Sequence, residues 1–129
     1  MADDEHITLT RSGDRPVRFR AGDWPIVADA RGDNYDGAND ARKAQEWADG
    51  HYALFRLSVR RHVTDGRYIV YGHRMSITEE WRGADILAAD WDIAAAVRQF
   101  GAAMGAPDRV IQAALDDLPP LDLSADSDR

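Results

Sequence analysis

An α+β fold is predicted, an antiparallel sheet built from hairpins with a C-terminal pair of helices packed against it. Segments of period two gather in the first two thirds of the chain and segments of period 3.6 in the last third. A second observation is the strongest hairpin signal, two apolar alternating runs on either side of Asp65-Gly66. The third is the double proline Pro119-Pro120, which closes the last helical stripe.

Ile7-Thr8-Leu9-Thr10-Arg11 and Val17-Arg18-Phe19-Arg20 alternate around Ser12-Gly13-Asp14, which predicts a first hairpin with one buried face. Trp24-Pro25-Ile26-Val27-Ala28 follows as a third strand, with Pro25 at its start or on an edge. Residues 32 to 40, rich in Gly, Asn and Asp, read as an exposed loop. Asn39 or Asp40 can cap a short helix from Ala41 to Asp49 ended by Gly50, with an irregular connection as the alternative.

His51 to Val63 reads as a long strand that buries Ala53, Phe55, Leu57, Val59 and Val63, and Arg67 to Met75 returns beside it. A two-residue turn at Asp65-Gly66 pairs Val59 with Gly72, whereas one bulged residue at Gly66 pairs Val59 with Tyr71 and Leu57 with His73. Both registers stay open. Ser76 to Glu79 matches a capping box and predicts a helical turn before Arg82-Gly83. Asp90 caps a helix from Trp91 to Met104 whose stripe is Ile93, Ala96, Val97, Phe100, Gly101 and Met104. Pro107 opens a second helix that buries Val110, Ile111, Ala114, Leu115 and Leu118. The expected organisation is a disordered N-terminus over 1–5, a single domain over 6–120 and a flexible acidic tail over 121–129.

With 129 residues, 44% hydrophobic and 30% charged, the chain has enough apolar material for one core. The absence of cysteine excludes disulfides and thiolate chemistry, and the acidic start Asp3-Asp4-Glu5 is unlike a signal peptide, so a cytoplasmic protein is expected. Lys43 is the single lysine, and Glu5, Glu46, Glu79 and Glu80 are the only glutamates, a skew expected of a GC-rich genome or of a salt-adapted host. Residues 1–75 hold 12 acids and 12 basic residues, so the net charge of −7 belongs to residues 76–129. A single-sign surface governs association more than folding.

No catalytic, cofactor-binding or metal-ligating constellation is predicted. His6, His51, His62 and His73 lack metal spacing, Asn34-Tyr35-Asp36-Gly37 lacks the ligand positions of a calcium loop, and Arg31-Gly32-Asp33 is a chance tripeptide. Glu79, Glu80, Asp85, Asp90 and Asp92 could supply an acid and a base, and serve more simply as helix caps. Arg56, Arg60, Arg61, Arg67 and Arg74 form a candidate basic face on the long hairpin, with Tyr68 and Tyr71 between them. Trp24 and Trp91 are expected in the core, and Trp47 and Trp81 at an interface.

Ile7-Thr8-Leu9-Thr10-Arg11, Glu46-Trp47 with Leu54-Phe55-Arg56-Leu57, Gly66-Arg67-Tyr68-Ile69-Val70 and Trp81-Arg82-Gly83 resemble small accessory proteins carried by prophages and plasmids. The likeness spans roughly residues 7 to 118. Genes near such proteins often encode inhibitors of host defence, so the resemblance implies an anti-CRISPR-like or other anti-defence role, and assigns no residue.

The function expected from these features is that of a small acidic protein-binding inhibitor or adaptor acting on a host defence nucleoprotein. Glu79, Glu80, Trp81, Asp116 and Asp117 are its candidate partner-binding residues, and the partner is a protein with a basic surface. Direct nucleic-acid binding is disfavoured by the overall charge, and no membrane or cofactor is expected. The alternatives are an immunity or antitoxin protein that neutralises a nuclease, or a small hydrolase using the carboxylates or His62 and His73.

Overall fold

The structure is a computed structural model that describes residues 5–35 and 39–120. Expectations for the first four residues, the middle of the 32–40 loop and the acidic tail lie outside the described residues.

The α+β architecture is as expected. Strands β1 (His6–Leu9) and β2 (Val17–Arg20) form a two-stranded antiparallel sheet. Strands β3 (Ile26–Asp33), β4 (Leu54–Arg61), β5 (Tyr68–Met75) and β6 (Glu80–Leu87) form a four-stranded antiparallel sheet in the order β3-β4-β5-β6. Helix α1 (Asp40–Ala48) joins β3 to β4, while α2 (Ile93–Ala103) and α3 (Asp108–Asp117) close the described fold. The segment from 40 to 48 is helical, with Asp49 at its C-cap and Asn39 at its N-cap, whose side chain accepts the Arg42 amide at 3.0 Å.

The long hairpin occupies the centre of the sheet, but in neither of the two expected registers. Leu57 faces Gly72 and Val59 faces Val70. The strand ends at Arg61, earlier than expected, and the His62 amide donates to the Arg67 carbonyl at 2.8 Å across a loop that runs from Val63 to Gly66. Gly66 takes φ +76° there, so Asp65-Gly66 supplies the left-handed corner of a longer loop and not the whole turn. Val63, expected inside, is 61% exposed because it lies on this loop.

Other boundaries move for local reasons. Strand β3 continues past Ala28 to Asp33, so the loop expected from residue 32 begins later. At Ser76 the capping hydrogen bond forms, the hydroxyl accepting the Glu79 amide at 3.2 Å, yet no helix follows. The Ser76 amide also donates to the Glu79 carbonyl at 2.9 Å and closes a tight loop that sends the chain back as β6. Asp92, not Asp90, caps α2 by accepting the Ala95 amide at 3.1 Å. Trp91 therefore precedes the helical stripe and is 53% exposed, against the expectation of a core tryptophan, whereas Trp24 is buried. Pro107 stands at the N-cap of α3, just before its first turn.

Alternation sends Ala28, Ala30, Phe55, Leu57, Val59 and Val70 to one face, where α2 and α3 bring Val97, Phe100, Met104, Val110 and Ala114. Small residues allow that approach: a side chain at Gly72 would meet Met104 and Phe100, and one at Gly101 would meet Ile111 and Leu57. Burying each such Leu or Val contributes about 1.5 to 3 kcal/mol. On the opposite face the β1–β2 hairpin and Trp24 cover only one end, packing Phe19, Ile7, Leu9 and Val17 on Ile69, Ala84 and Tyr71.

Candidate functional site

Cross-strand partners in an antiparallel sheet share a face, so the register decides which side chains stand together. On the face away from the helices, Arg31 pairs with Arg56, Arg56 with His73, and His73 with Arg82. Four basic or imidazole side chains thus form one row across the whole sheet, about 14 Å long at ordinary strand spacing. The flanking rows are Asp29, Ser58, Tyr71 and Ala84 toward the hairpin, and Asp33, Leu54, Met75 and Glu80 on the other side.

Like charges placed directly opposite repel, so this row requires counter-charges. Asp29 provides one, its carboxylate accepting Arg56 Nε at 3.0 Å, Arg56 Nη2 at 3.2 Å and the Ser58 hydroxyl at 2.6 Å. Burial pushes the Asp29 carboxyl up, but the hydrogen bonds from Arg56 and Ser58 and the charges of Arg56 and Arg31 outweigh it and hold the group below the usual carboxylate range. Glu80 provides the other, with Oε1 at 2.6 Å from Arg82 Nη2 and 3.3 Å from His73 Nε2. Both approaches are ion pairs without hydrogen-bonding geometry, and His73 Nε2 is buried with no hydrogen bond among the described residues. Three arginines and a histidine therefore stand beside three carboxylates on this open half-face, Asp29, Glu80 and Asp33, of which only Asp29 and Glu80 pair with members of the row.

Two depressions flank the middle of the row. One, of about 220 Å³, lies under the edge of the β1–β2 hairpin among Thr8, Thr10, Arg56, Tyr71, His73 and Arg82. The other, of about 420 Å³, is lined by Arg31, Asp33, Leu54, Arg56, His73 and Met75. Asp33 is committed elsewhere: it accepts the Tyr52 hydroxyl at 2.9 Å and the Tyr35 amide at 3.1 Å, and pairs with Lys43 and Arg109 at 3.4 and 3.1 Å. Burial raises its carboxyl, but the hydrogen bonds from Tyr52 and Tyr35 and the charge of Lys43 outweigh it and leave a net downward shift. Asp33 thereby ties α1 and α3 to the end of β3.

The acidic residues singled out from the sequence do not converge. Glu79 sits in the β5–β6 loop, 3.5 Å from Arg74 Nη2, Glu80 belongs to the open face, and Trp81 points the other way, its ring 5.8 Å from that of Phe100. Asp116 accepts the Gln112 side-chain amide at 2.8 Å, and Asp117 accepts the Asp29 backbone amide at 2.9 Å. The latter bond covers part of the outward edge of β3. Glu79 and Glu80 thus lie at the β6 edge and Asp117 at the β3 edge, roughly 14 Å apart across four strands.

The five hairpin arginines are split as well. Arg56 and Arg60 share the open face, but Arg60 is held under the β1–β2 hairpin, donating to the Tyr71 hydroxyl at 3.0 Å and to the Trp24 carbonyl at 2.9 Å. Arg61 and Arg74 face the helices, over the rings of Tyr68 and Phe55, and Arg67 lies in the loop against Trp24 and Asp65. Alternation separates positions 60 and 61 whatever the register. His62 is no partner for His73, being about 20 Å further along the ladder, where its ring packs edge-on against Trp24 at 4.9 Å.

No sequence motif joins Arg31, His73 and Arg82 into one site. The available signal was Ala28-Asp29-Ala30-Arg31-Gly32-Asp33, which alternates small with charged residues, as expected of a strand with a helix close on one face. Among the described residues no group of three or more potential ligands is placed to hold a metal, and no helix is long and apolar enough to cross a membrane. Comparison with protein-family models, curated proteins and solved structures gives no match for this chain.

Proposed function

We propose that the protein is a small binding module, an inhibitor or adaptor of another protein, that engages an acidic segment of its partner through the open half of the sheet face. The observation that carries this reading is the row Arg31, Arg56, His73 and Arg82, which crosses all four strands beside two depressions. A chain of net charge −7 concentrates cations here. The helices on the far side carry Asp92, Asp108, Asp116 and Asp117 against Arg98 and Arg109, so the molecule is polar. That polarity orients an acidic partner toward the sheet. Leu54 at 39% exposure, beside Met75, adds apolar contact area next to the charges.

The test is a titration of the full, isotope-labelled chain with a poly-glutamate peptide, a poly-lysine peptide and a short oligo-dT, read by amide chemical shifts. Poly-glutamate is expected to move the signals of Arg31, Arg56, His73 and Arg82, and the double variant Arg31→Glu, Arg82→Glu to abolish the effect. Tighter binding of poly-lysine, centred on Asp116 and Asp117 and with a silent sheet face, would overturn the reading in favour of an acidic docking surface. Tighter binding of the oligonucleotide would overturn it in favour of a nucleic-acid protein.

A further inference from the structure

We infer that the depression beneath the hairpin edge is a subsite for one phosphomonoester group, such as a phosphorylated side chain of the partner. This rests on the open sheet face being the binding surface, and it names the chemistry recognised there.

The depression is rich in unused donors. Arg56 gives Nε and Nη2 to Asp29, which leaves Nη1 without a hydrogen bond among the described residues. Arg82 pairs through Nη2 with Glu80, and its guanidinium makes no hydrogen bond among the described residues. Tyr71 accepts a hydrogen bond from Arg60 Nε, so its own hydroxyl proton has no acceptor among the described residues. His73 Nε2 is buried with no hydrogen bond among the described residues, a condition that native structures rarely tolerate. Thr8 and Thr10 bring hydroxyls from the hairpin side. Donors thus converge from four strands, β1, β4, β5 and β6, no carboxylate of the described residues lines the depression, and Asp29 and Glu80 are paired with the same arginines.

An oxyanion is what such a lining completes. More donor side chains surround the space than the two oxygens of a carboxylate can use, whereas the three terminal oxygens of a phosphomonoester match them, with guanidinium groups supplying charge-assisted bonds. A volume of about 220 Å³ suits one such group and its ester stem, and is small for a coenzyme, which requires about 300 Å³ or more. Asp29 and Ser58 hold Arg56 in place from below, so that guanidinium is positioned before any ligand arrives. A long nucleic acid is the less favoured occupant, since its affinity comes from a series of spaced phosphates, whereas this depression has room for one.

The experiment titrates the labelled full chain with inorganic phosphate, O-phosphoserine, acetate and a short oligo-dT. Phosphate and phosphoserine are expected to move the amide signals of Thr8, Thr10, Arg56, His73 and Arg82, and acetate to do so at about tenfold higher concentration. His73→Gln and Arg82→Gln should each weaken phosphoserine about tenfold. Thr8→Val, an exposed position on β1 where only a hydroxyl is lost, should weaken it about threefold with an unchanged melting temperature. Silent signals, shifts centred elsewhere, variants that bind like the parent, or oligo-dT binding more tightly than phosphoserine would each overturn the inference. Poly-glutamate binding along the row without phosphate binding removes the subsite and leaves the broader reading. Phosphate binding without poly-glutamate binding does the reverse.

Discussion

The two faces of the four-stranded sheet are made by the same strands, residue next to residue, and obey different physics. The helix-covered face is small and apolar at its centre, Ala28, Ala30, Leu57, Val59 and Val70, with Arg61 and Arg74 toward its ends, and its order comes from area removed from water. The open half-face is charged, and its order comes from Asp29 and Glu80 holding guanidinium groups in place. The first face is sensitive to changes of volume, and the second to loss of the carboxylates that hold its guanidinium groups. A face built in the second way spends interaction energy on arrangement, which is what a binding surface needs.

The comparison is broken most directly at Leu57. Replacing this fully buried side chain, which packs against Gly101 in α2, with alanine should cost about 2 to 5 kcal/mol in a urea melt. A loss under about 1 kcal/mol would mean that the helical face is not the core. Asp29→Asn tests the counter-charge on the other face. It removes the charge that braces Arg56 and weakens the bond from Ser58, and with Asp29 28% exposed a cost of about 1 to 2 kcal/mol is expected. No change in stability would show that the row needs no bracing.

Acid should sharpen the contrast. Asp29 and Asp33 are both held below the ordinary carboxylate range, by hydrogen bonds and charges that outweigh burial. A group with a depressed folded pKa stabilises the fold above its unfolded value, about 3.9, and loses that contribution as pH falls through the folded value. Stability should therefore fall below about pH 4, and less steeply in Asp29→Asn than in the parent. An identical slope in both proteins would assign the acid sensitivity to other carboxylates. The smallest effects belong to exposed groups: Arg82→Gln and Trp91→Ala should each change stability by less than about 0.5 kcal/mol. For Arg82 that near-silence in melts, set beside a loss of phosphoserine binding, separates arrangement for function from arrangement for folding.

Much of the fold was legible in the sequence. The helical stripe of α2, the cap at Asn39, the central hairpin around Asp65-Gly66 and the α+β class all follow from periodicity and turn chemistry, which are local. Strand β6 was not legible, because Ser76 to Glu79 makes the hydrogen bond of a helix start and only the neighbouring strand decides that the chain turns back. Trp91 was misplaced because moving a cap by two residues, from Asp90 to Asp92, takes a side chain off the buried stripe.

The sequence by itself determined which residues of each strand share a face, since alternation needs nothing beyond the chain: Arg60 and Arg61 had to part, and Arg56 and Ser58 had to stand together. Only the tertiary structure decided which residues of different strands meet. The side-chain period is two, so a slip of one residue turns a strand over and a slip of two slides every cross-strand pair. The four-residue loop after His62 set β4 against β5 in a register that neither simpler turn produces, and with it placed His73 beside Arg56 and Arg82 beside His73. The candidate site exists at that register alone, because a row across four strands is a property of their alignment and not of any one of them.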